Sequence, residues 1–326
     1  MRELSAPPAE AQTLEFTAAD WLDVSTPVNP RPYPVPAVDP ACWHEWPSDD
    51  DGLLPAAAGY YGNERLLAVG GVSAATRALP HLFPPAALAC LTPMDDAHSA
   101  AWHRAGHPLR RLPTLARALT AATPKVLIAN PNPLTAMTLP RATLLAAAGE
   151  LDKRGGWLIV DETLADADPA NSVAQFAGRN DAPRLIVLRS LAPFFGLPGA
   201  RVGFVLGATE KLDKLRQLLG PNTLATPSRA VARSALLDTV WQARAREQLA
   251  LSSLRLCAAL APLGETQATA LFCSVATPHV DGLVEHFAAG SIRPHAAHGV
   301  VRFALPRSDA EWRRLSTAIS AWKAPA

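Results

Sequence analysis

The chain has 326 residues, with 30 lysines and arginines against 29 aspartates and glutamates and a formal net charge of +1. So even a balance gives no electrostatic basis for binding nucleic acid or an anionic membrane surface. The apolar runs are short and interrupted, so no transmembrane helix is expected; the length is ample for a sizeable core and predicts a large domain with a smaller one.

Residues 1–18 read as a frayed lead-in, and the first 14 carry two glutamates and no long apolar block, so no secretory signal is expected. Four scattered cysteines, Cys42, Cys90, Cys257 and Cys273, form no CxxC pair and are expected as buried thiols rather than disulfides or zinc ligands, which fits a cytoplasmic protein. Residues 21–25 run into a stretch to Pro34 so dense in proline that it forbids helix and predicts an extended arm.

A helix is predicted over 53–61, stopping at Gly62, then a strand over 66–69 that enters Gly70-Gly71-Val72-Ser73 and a helix over 74–79. Strand, glycines and helix in that order aim backbone N–H groups at a phosphate. Further strands are predicted over 87–91, 125–129, 157–160, 185–188 and 202–206, with helices over 97–105 and 141–154 between them. Alternating strands and helices predict an α/β fold with a mostly parallel sheet. Ligands of such sheets sit beyond the carboxyl ends of the strands. Gly71, Asn130 and Asn132, Asp161 and Ser190 all fall at those ends, and their convergence predicts a site there.

Residues 190–201, Ser-Leu-Ala-Pro-Phe-Phe-Gly-Leu-Pro-Gly-Ala-Arg, bridge two of the strands. A hydroxyl, two glycines and a guanidinium in one short bridge make an anion cradle. After Gly220-Pro221 the pattern changes: one long helical region over 228–263, short strands over 269–275, 291–293 and 300–304, and a closing helix over 309–322. The expected divisions are an arm over 1–35, a large domain over 36–220 and a small α+β C-terminal domain over 221–326 packed with the arm.

Several runs carry a likeness in order and at nearly matching spacing: Trp21-Leu22-Asp23-Val24-Ser25, Asn29-Pro30, Tyr60-Tyr61-Gly62, Val160-Asp161-Glu162, Leu188-Arg189-Ser190-Leu191, Phe194-Phe195-Gly196-Leu197-Pro198-Gly199, Arg201-Val202-Gly203-Phe204, Ile292-Arg293-Pro294 and Val301-Arg302-Phe303. From about Trp21 to Trp322 the chain resembles the fold-type I enzymes that use pyridoxal phosphate. Within them it is most similar to the threonine-phosphate decarboxylase branch of cobalamin biosynthesis, related to histidinol-phosphate aminotransferases. The resemblance implies a homodimer with site residues from both chains, and pyridoxal 5'-phosphate as cofactor. It assigns Asp161 to the pyridine nitrogen, Ser190 and Arg201 to the phosphate, and Gly71 to the start of a phosphate loop in which Val72 stands where a serine is usual. It assigns Arg302 to the substrate carboxylate, makes Arg293 a second arginine of the same domain, and places Asn29 on the arm over the active site.

The departures from that family are concentrated at the ligand. Pro193 stands where the Schiff-base lysine belongs, and proline has no side-chain amine. The five lysines of the chain, Lys125, Lys153, Lys211, Lys214 and Lys323, match other positions; Lys125 and Lys153 lie at or before strand starts, which predicts the opposite edge of the sheet. Pro133 replaces the asparagine that contacts the cofactor's phenolic oxygen, a task Asn132 serves only with a one-residue shift. Asp95 falls at the ring-stacking aromatic, and Pro27 at a usual glycine. Lysine-dependent chemistry is therefore expected to be impaired or lost and covalent cofactor binding is not expected. The ligand is then non-covalent cofactor, phosphate, a phosphorylated amino acid or none. A protein partner in the cobalamin pathway, a non-catalytic dimeric scaffold, and an enzyme using non-covalent pyridoxamine phosphate stay open beside it.

Overall fold

The computed structural model describes residues 21–94 and 96–323; the lead-in expected over 1–18 and the position of Asp95 lie outside the described residues. In chain order the elements are β1 (Leu22–Asp23), α1 (Leu53–Tyr61), β2 (Leu66–Val69), α2 (Val72–Ala78), β3 (Leu88–Leu91), α3 (Asp96–Arg104), β4 (Leu109–Leu112), α4 (Leu115–Thr120), β5 (Lys125–Ala129), α5 (Arg141–Lys153), β6 (Trp157–Asp161), β7 (Leu185–Ser190), α6 (Ala192–Phe195), β8 (Gly203–Leu206) and α7 (Thr209–Leu219). They continue as α8 (Thr226–Leu237), α9 (Thr239–Leu260), β9 (Glu265–Thr269), β10 (Phe272–Ala276), α10 (Val280–Ala289), β11 (Ile292–Arg293), β12 (His295–Ala297), β13 (Val300–Ala304) and α11 (Asp309–Ala321). Among the described residues no helix is long and apolar enough to cross a membrane.

Seven strands form the central sheet in the order β2-β8-β7-β6-β5-β3-β4. β8 runs antiparallel to both β2 and β7, and the remaining pairs are parallel. β3, β7 and β8 are buried along their whole length, as in a sheet covered on both faces. Side chains alternate between the faces with a period of two. Leu127, Ile159, Ile186 and Leu188 pack toward Trp102 of α3 and Leu215 of α7. Val126, Ile128, Val160 and Val187 pack toward Leu53 of α1, Leu144 of α5 and Ala232 of α8. This alternation sends Asp161 and Ser190 to the first face, and Glu162 and Arg189 to the second.

A second, antiparallel sheet runs β12-β13-β10-β9. Two expectations are corrected in this part of the chain. The helical region expected over 228–263 is two helices, because Asp238 leaves helical geometry (φ −82°, ψ 77°) and its side chain accepts the Trp241 amide at 2.9 Å, capping α9. The strand expected over 269–275 is a hairpin that turns at Ala270 and Leu271, with Phe272 opposite Thr269.

The arm is tied at two places. β1 pairs in parallel with β11, Leu22 beside Ile292, and the Ala304 amide donates to the Val24 carbonyl at 2.8 Å. The proline-dense run then takes neither helix nor strand and crosses α6. The first turn of α9 supports that crossing, since the Trp241 ring stacks on Phe195 at 5.5 Å and 16°. Removing the α9 cap by Asp238→Ala should lower stability by about 1 kcal/mol. A urea titration should show a lower midpoint with an unchanged slope; an unchanged midpoint contradicts the cap.

Candidate active site

The cradle forms where β7 and β8 meet the start of α2. Ser190 lies opposite Gly203, and the Leu191 amide donates to the Val202 carbonyl at 3.2 Å. A Cβ on Gly203 would sit 2.8 Å from the Val72 nitrogen, so only glycine lets the glycine loop approach this closely. Gly71 (φ +80°) brings its Cα under the Arg201 guanidinium, whose Nη2 would lie 3.1 Å from a Cβ placed there. Arg201 itself holds a left-handed backbone (φ 54°, ψ 43°), and its Nη2 donates to Ser73 Oγ at 2.6 Å. The Ser190 hydroxyl accepts the Ala192 amide at 3.2 Å. Gly71 and Arg201 thus lie side by side, and Ser190 ends the neighbouring strand opposite Gly203. Ser73 also bonds Arg201, one residue after Val72 in the Gly-Gly-Val-Ser run.

Asp161 ends β6 on the same face. His98 of α3 places Nε2 2.8 Å from Asp161 Oδ2, and the Thr163 amide donates to Oδ1 at 2.9 Å. Burial alone would push this carboxyl up; the hydrogen bond and charge of His98, with the Thr163 bonds, outweigh it and hold the group below the usual carboxylate range. Sequence reasoning missed His98. Its one signal is position: His98, Ala101 and Trp102 share the buried stripe of α3 at helical spacing.

The remaining predicted residues serve the frame. The Asn132 side chain donates from Nδ2 to the Pro93 carbonyl at 2.8 Å and accepts the Leu134 and Thr135 amides at 3.0 and 2.9 Å, shaping its own loop. Arg302 donates to the carbonyls of Pro133 and Ser25, joining that loop to the arm. Asn29 fastens the arm to α6, its amide donating to the Pro193 carbonyl at 2.8 Å and its Nδ2 to the Phe194 carbonyl at 2.9 Å. Arg293 lies on β11, 57% exposed, and pairs with Asp23 of β1 at 2.5 Å.

Pro193 is the second residue of α6 and half-buried. The amines lie elsewhere. Lys125 opens β5 opposite Trp157, the first residue of β6, and its Nζ donates to the Pro84 carbonyl at 3.3 Å. Lys211 donates to the Leu82 carbonyl at 3.0 Å and lies over the Trp157 ring at 5.1 Å. Both therefore mark the amino edge of the parallel strands, across the sheet from Asp161 and Ser190. Lys153, Lys214 and Lys323 are exposed.

The arrangement offers an anion cradle and an ionised carboxylate on one face of the sheet, with no amine between them on the Pro193 segment. Because the folded Asp161 is more acidic than an unfolded aspartate at about 3.9, its stabilisation is complete above that value and is lost as pH falls through the folded one. Asp161→Asn should therefore be less stable than the parent at pH 7, and the gap should close below about pH 4. Urea midpoints across that range measure it; a gap independent of pH contradicts the pairing.

The sequence profile of the family described as aminotransferase class I and II matches residues 53–318. The chain is 39% identical over 321 residues to the threonine-phosphate decarboxylase of Pseudomonas aeruginosa, covering 97% of this chain and 96% of that protein. Its fold is similar to the histidinol-phosphate aminotransferase of Clostridium acetobutylicum (TM-score 0.80, 16% identity, 92% of this chain and 98% of that one). It is also similar to the histidinol-phosphate aminotransferase of Sinorhizobium meliloti in complex with pyridoxal-5'-phosphate (TM-score 0.77, 20% identity, 97% and 94%). The central sheet is thus that of the fold-type I pyridoxal-phosphate enzymes, and the chain belongs to the aminotransferase class I and II family as a homologue of threonine-phosphate decarboxylase over nearly its whole length.

Proposed function

We propose that the chain is a threonine-phosphate decarboxylase-type protein of cobalamin biosynthesis, working on the aminopropanol arm, that holds pyridoxal phosphate without a covalent bond and has lost lysine-dependent catalysis. The phosphate end of the cofactor fits Gly71, Ser73, Ser190 and Arg201, which gather a guanidinium, two hydroxyls and open backbone at one strand edge. The ring-nitrogen end fits Asp161, which His98 keeps ionised and so able to hold a proton on that nitrogen. The aldehyde end does not fit, because Pro193 carries no nucleophile. When bound, the cofactor supplies an electron sink for chemistry at an amino-acid Cα; the chain supplies no amine to anchor it or to carry a proton there. Pro193 is the observation on which this reading rests. A homodimer and a cytoplasmic location belong to the same reading through the family likeness.

Arg302 favours a second reading, a non-catalytic dimeric protein that binds a partner. Each of its Nη nitrogens donates to a backbone carbonyl, so its guanidinium already has a structural task in joining the arm to the Asn132 loop.

Titration with pyridoxal phosphate and with O-phosphothreonine tests the first reading. The chain should bind, show no lysine-adduct absorption near the visible edge, and yield no borohydride-trapped adduct. Arg201→Ala should weaken binding roughly tenfold or more, since hydrogen bonds to charged groups are worth about 1.5–3 kcal/mol. An adduct trapped on any lysine overturns the loss of lysine chemistry. No heat with either ligand, in parent and variant alike, overturns the cradle and leaves the partner-binding reading.

A further inference from the structure

On the other face of the sheet lies a cavity of about 170 Å³ whose charged lining residues are Arg141, Arg189 and Arg246. Tyr60 and Ser172 line it as well. Arg189 follows Val187 on the face opposite Ser190, and its guanidinium is neutralised from behind. Nη1 meets Glu162 Oε2 at 2.6 Å and Ser172 Oγ at 2.9 Å, and Nη2 meets Asp166. Among the described residues its Nε is buried with no hydrogen-bond acceptor.

The other two arginines are anchored by neutral acceptors, with Asp166 acting on Arg246 at longer range. Arg246 donates from Nε to the Asp166 carbonyl at 3.0 Å and from Nη2 to Tyr60 Oη at 2.9 Å, over the Phe194 ring at 4.9 Å. Arg141 donates only from Nε among its guanidinium nitrogens, to the Ser172 carbonyl at 2.9 Å. Among the described residues neither arginine has a carboxylate within ion-pair distance. Glu162 and Asp166 both turn to Arg189, and the charge of Arg246 also acts on Asp166, so Arg141 is the guanidinium of this cavity farthest from compensation. The forked end of Arg141 and Nη1 of Arg246 are donors with no acceptor among the described residues. Arg141 is also the first residue of the 13-residue helix α5, whose amino-terminal end adds partial positive charge.

We infer that this cavity is a second oxyanion site, separate from the cradle, in which the fork of Arg141 and the free edge of Arg246 take one small anion such as inorganic phosphate. A planar fork with two parallel donors matches a phosphate or carboxylate edge. The cavity is below the roughly 300–1,000 Å³ of sites for drug-sized ligands, a size that suits a small anion. Arg246 touches Phe194, the neighbour of Pro193, so the site backs directly onto the α6 segment.

The test uses the full-length Arg201→Ala protein, in which the cradle is disabled. Calorimetric titration with inorganic phosphate should show one binding event per chain. Adding Arg141→Gln should weaken it at least tenfold, Arg141→Lys less, and Tyr60→Phe, which frees Arg246, severalfold. An acetate titration in the same background separates carboxylate from phosphate, and loss of either with Arg141→Gln supports the site. Phosphate binding unchanged by Arg141→Gln in protein with parental circular dichroism overturns it, as does the absence of binding of both anions to Arg201→Ala. Failure of the cradle reading is distinct, because it appears as pyridoxal-phosphate binding insensitive to Arg201→Ala.

Discussion

Three consecutive backbone carbonyls, those of Pro193, Phe194 and Phe195, are held by the arm, and the geometry of the site follows from that strap. α6 has only four residues, too few to satisfy its own carbonyls within the helix. Asn29 takes the first two through its amide and side chain, and the Tyr33 amide takes the third at 2.8 Å. Leaving one such group buried and unpaired costs about 1–3 kcal/mol, so the arm and the helix are placed together. Gly196 closes the contact in left-handed geometry (φ +67°), where a Cβ would lie 2.7 Å from the Pro32 Cα. Tyr33, Phe195 and Trp241 pack edge and face beneath it. The segment that carries Pro193 is therefore fixed by the arm through three backbone carbonyls and a close glycine contact.

The alternation of β6 and β7 divides the polar residues of the site edge into two sets. Asp161 and Ser190 turn to the face of α3 and α2, where His98 meets Asp161 and Arg201 bonds Ser73. Glu162 and Arg189 turn the other way and form a buried network with Asp166 and Ser172. Burial pushes the Glu162 and Asp166 carboxyls up, against the pull of Arg189. Buried charges persist when paired in this way. The two sets are neighbours in sequence, yet the sheet turns them to opposite faces.

Much of this was legible in the sequence, for identifiable reasons. β2, β5, β13 and α1 fall at the expected residues, because short apolar runs bounded by glycine or polar ends are strong signals. The positions of Gly71, Asp161 and Ser190 at strand ends were legible too, because each follows a short apolar run. What escaped was long-range or locally ambiguous. The break at Asp238 lies inside a continuous Ala- and Leu-rich pattern, and only its cap to Trp241 marks it. The hairpin at Ala270-Leu271 has none of the usual turn residues. β4, α4, α7 and α10 carried patterns too weak or too polar to be singled out. His98, the Asn132 bond to the Pro93 carbonyl and the carbonyl partners of Arg302 depend on contacts across 63, 39 and as many as 277 residues, which no local spacing encodes.

The central claim is that the chain keeps a pyridoxal-phosphate scaffold and lacks its amine. Pro193→Lys tests it most directly. Position 193 sits in the first turn of α6, where the restored N–H has no helical partner to displace and the carbonyl remains available to Asn29. Incubated with pyridoxal phosphate and reduced with borohydride, the variant should carry one adduct per chain, mapped by peptide mass to the new lysine, while the parent carries none. Binding of the cofactor to the variant without any adduct at position 193 would contradict the account.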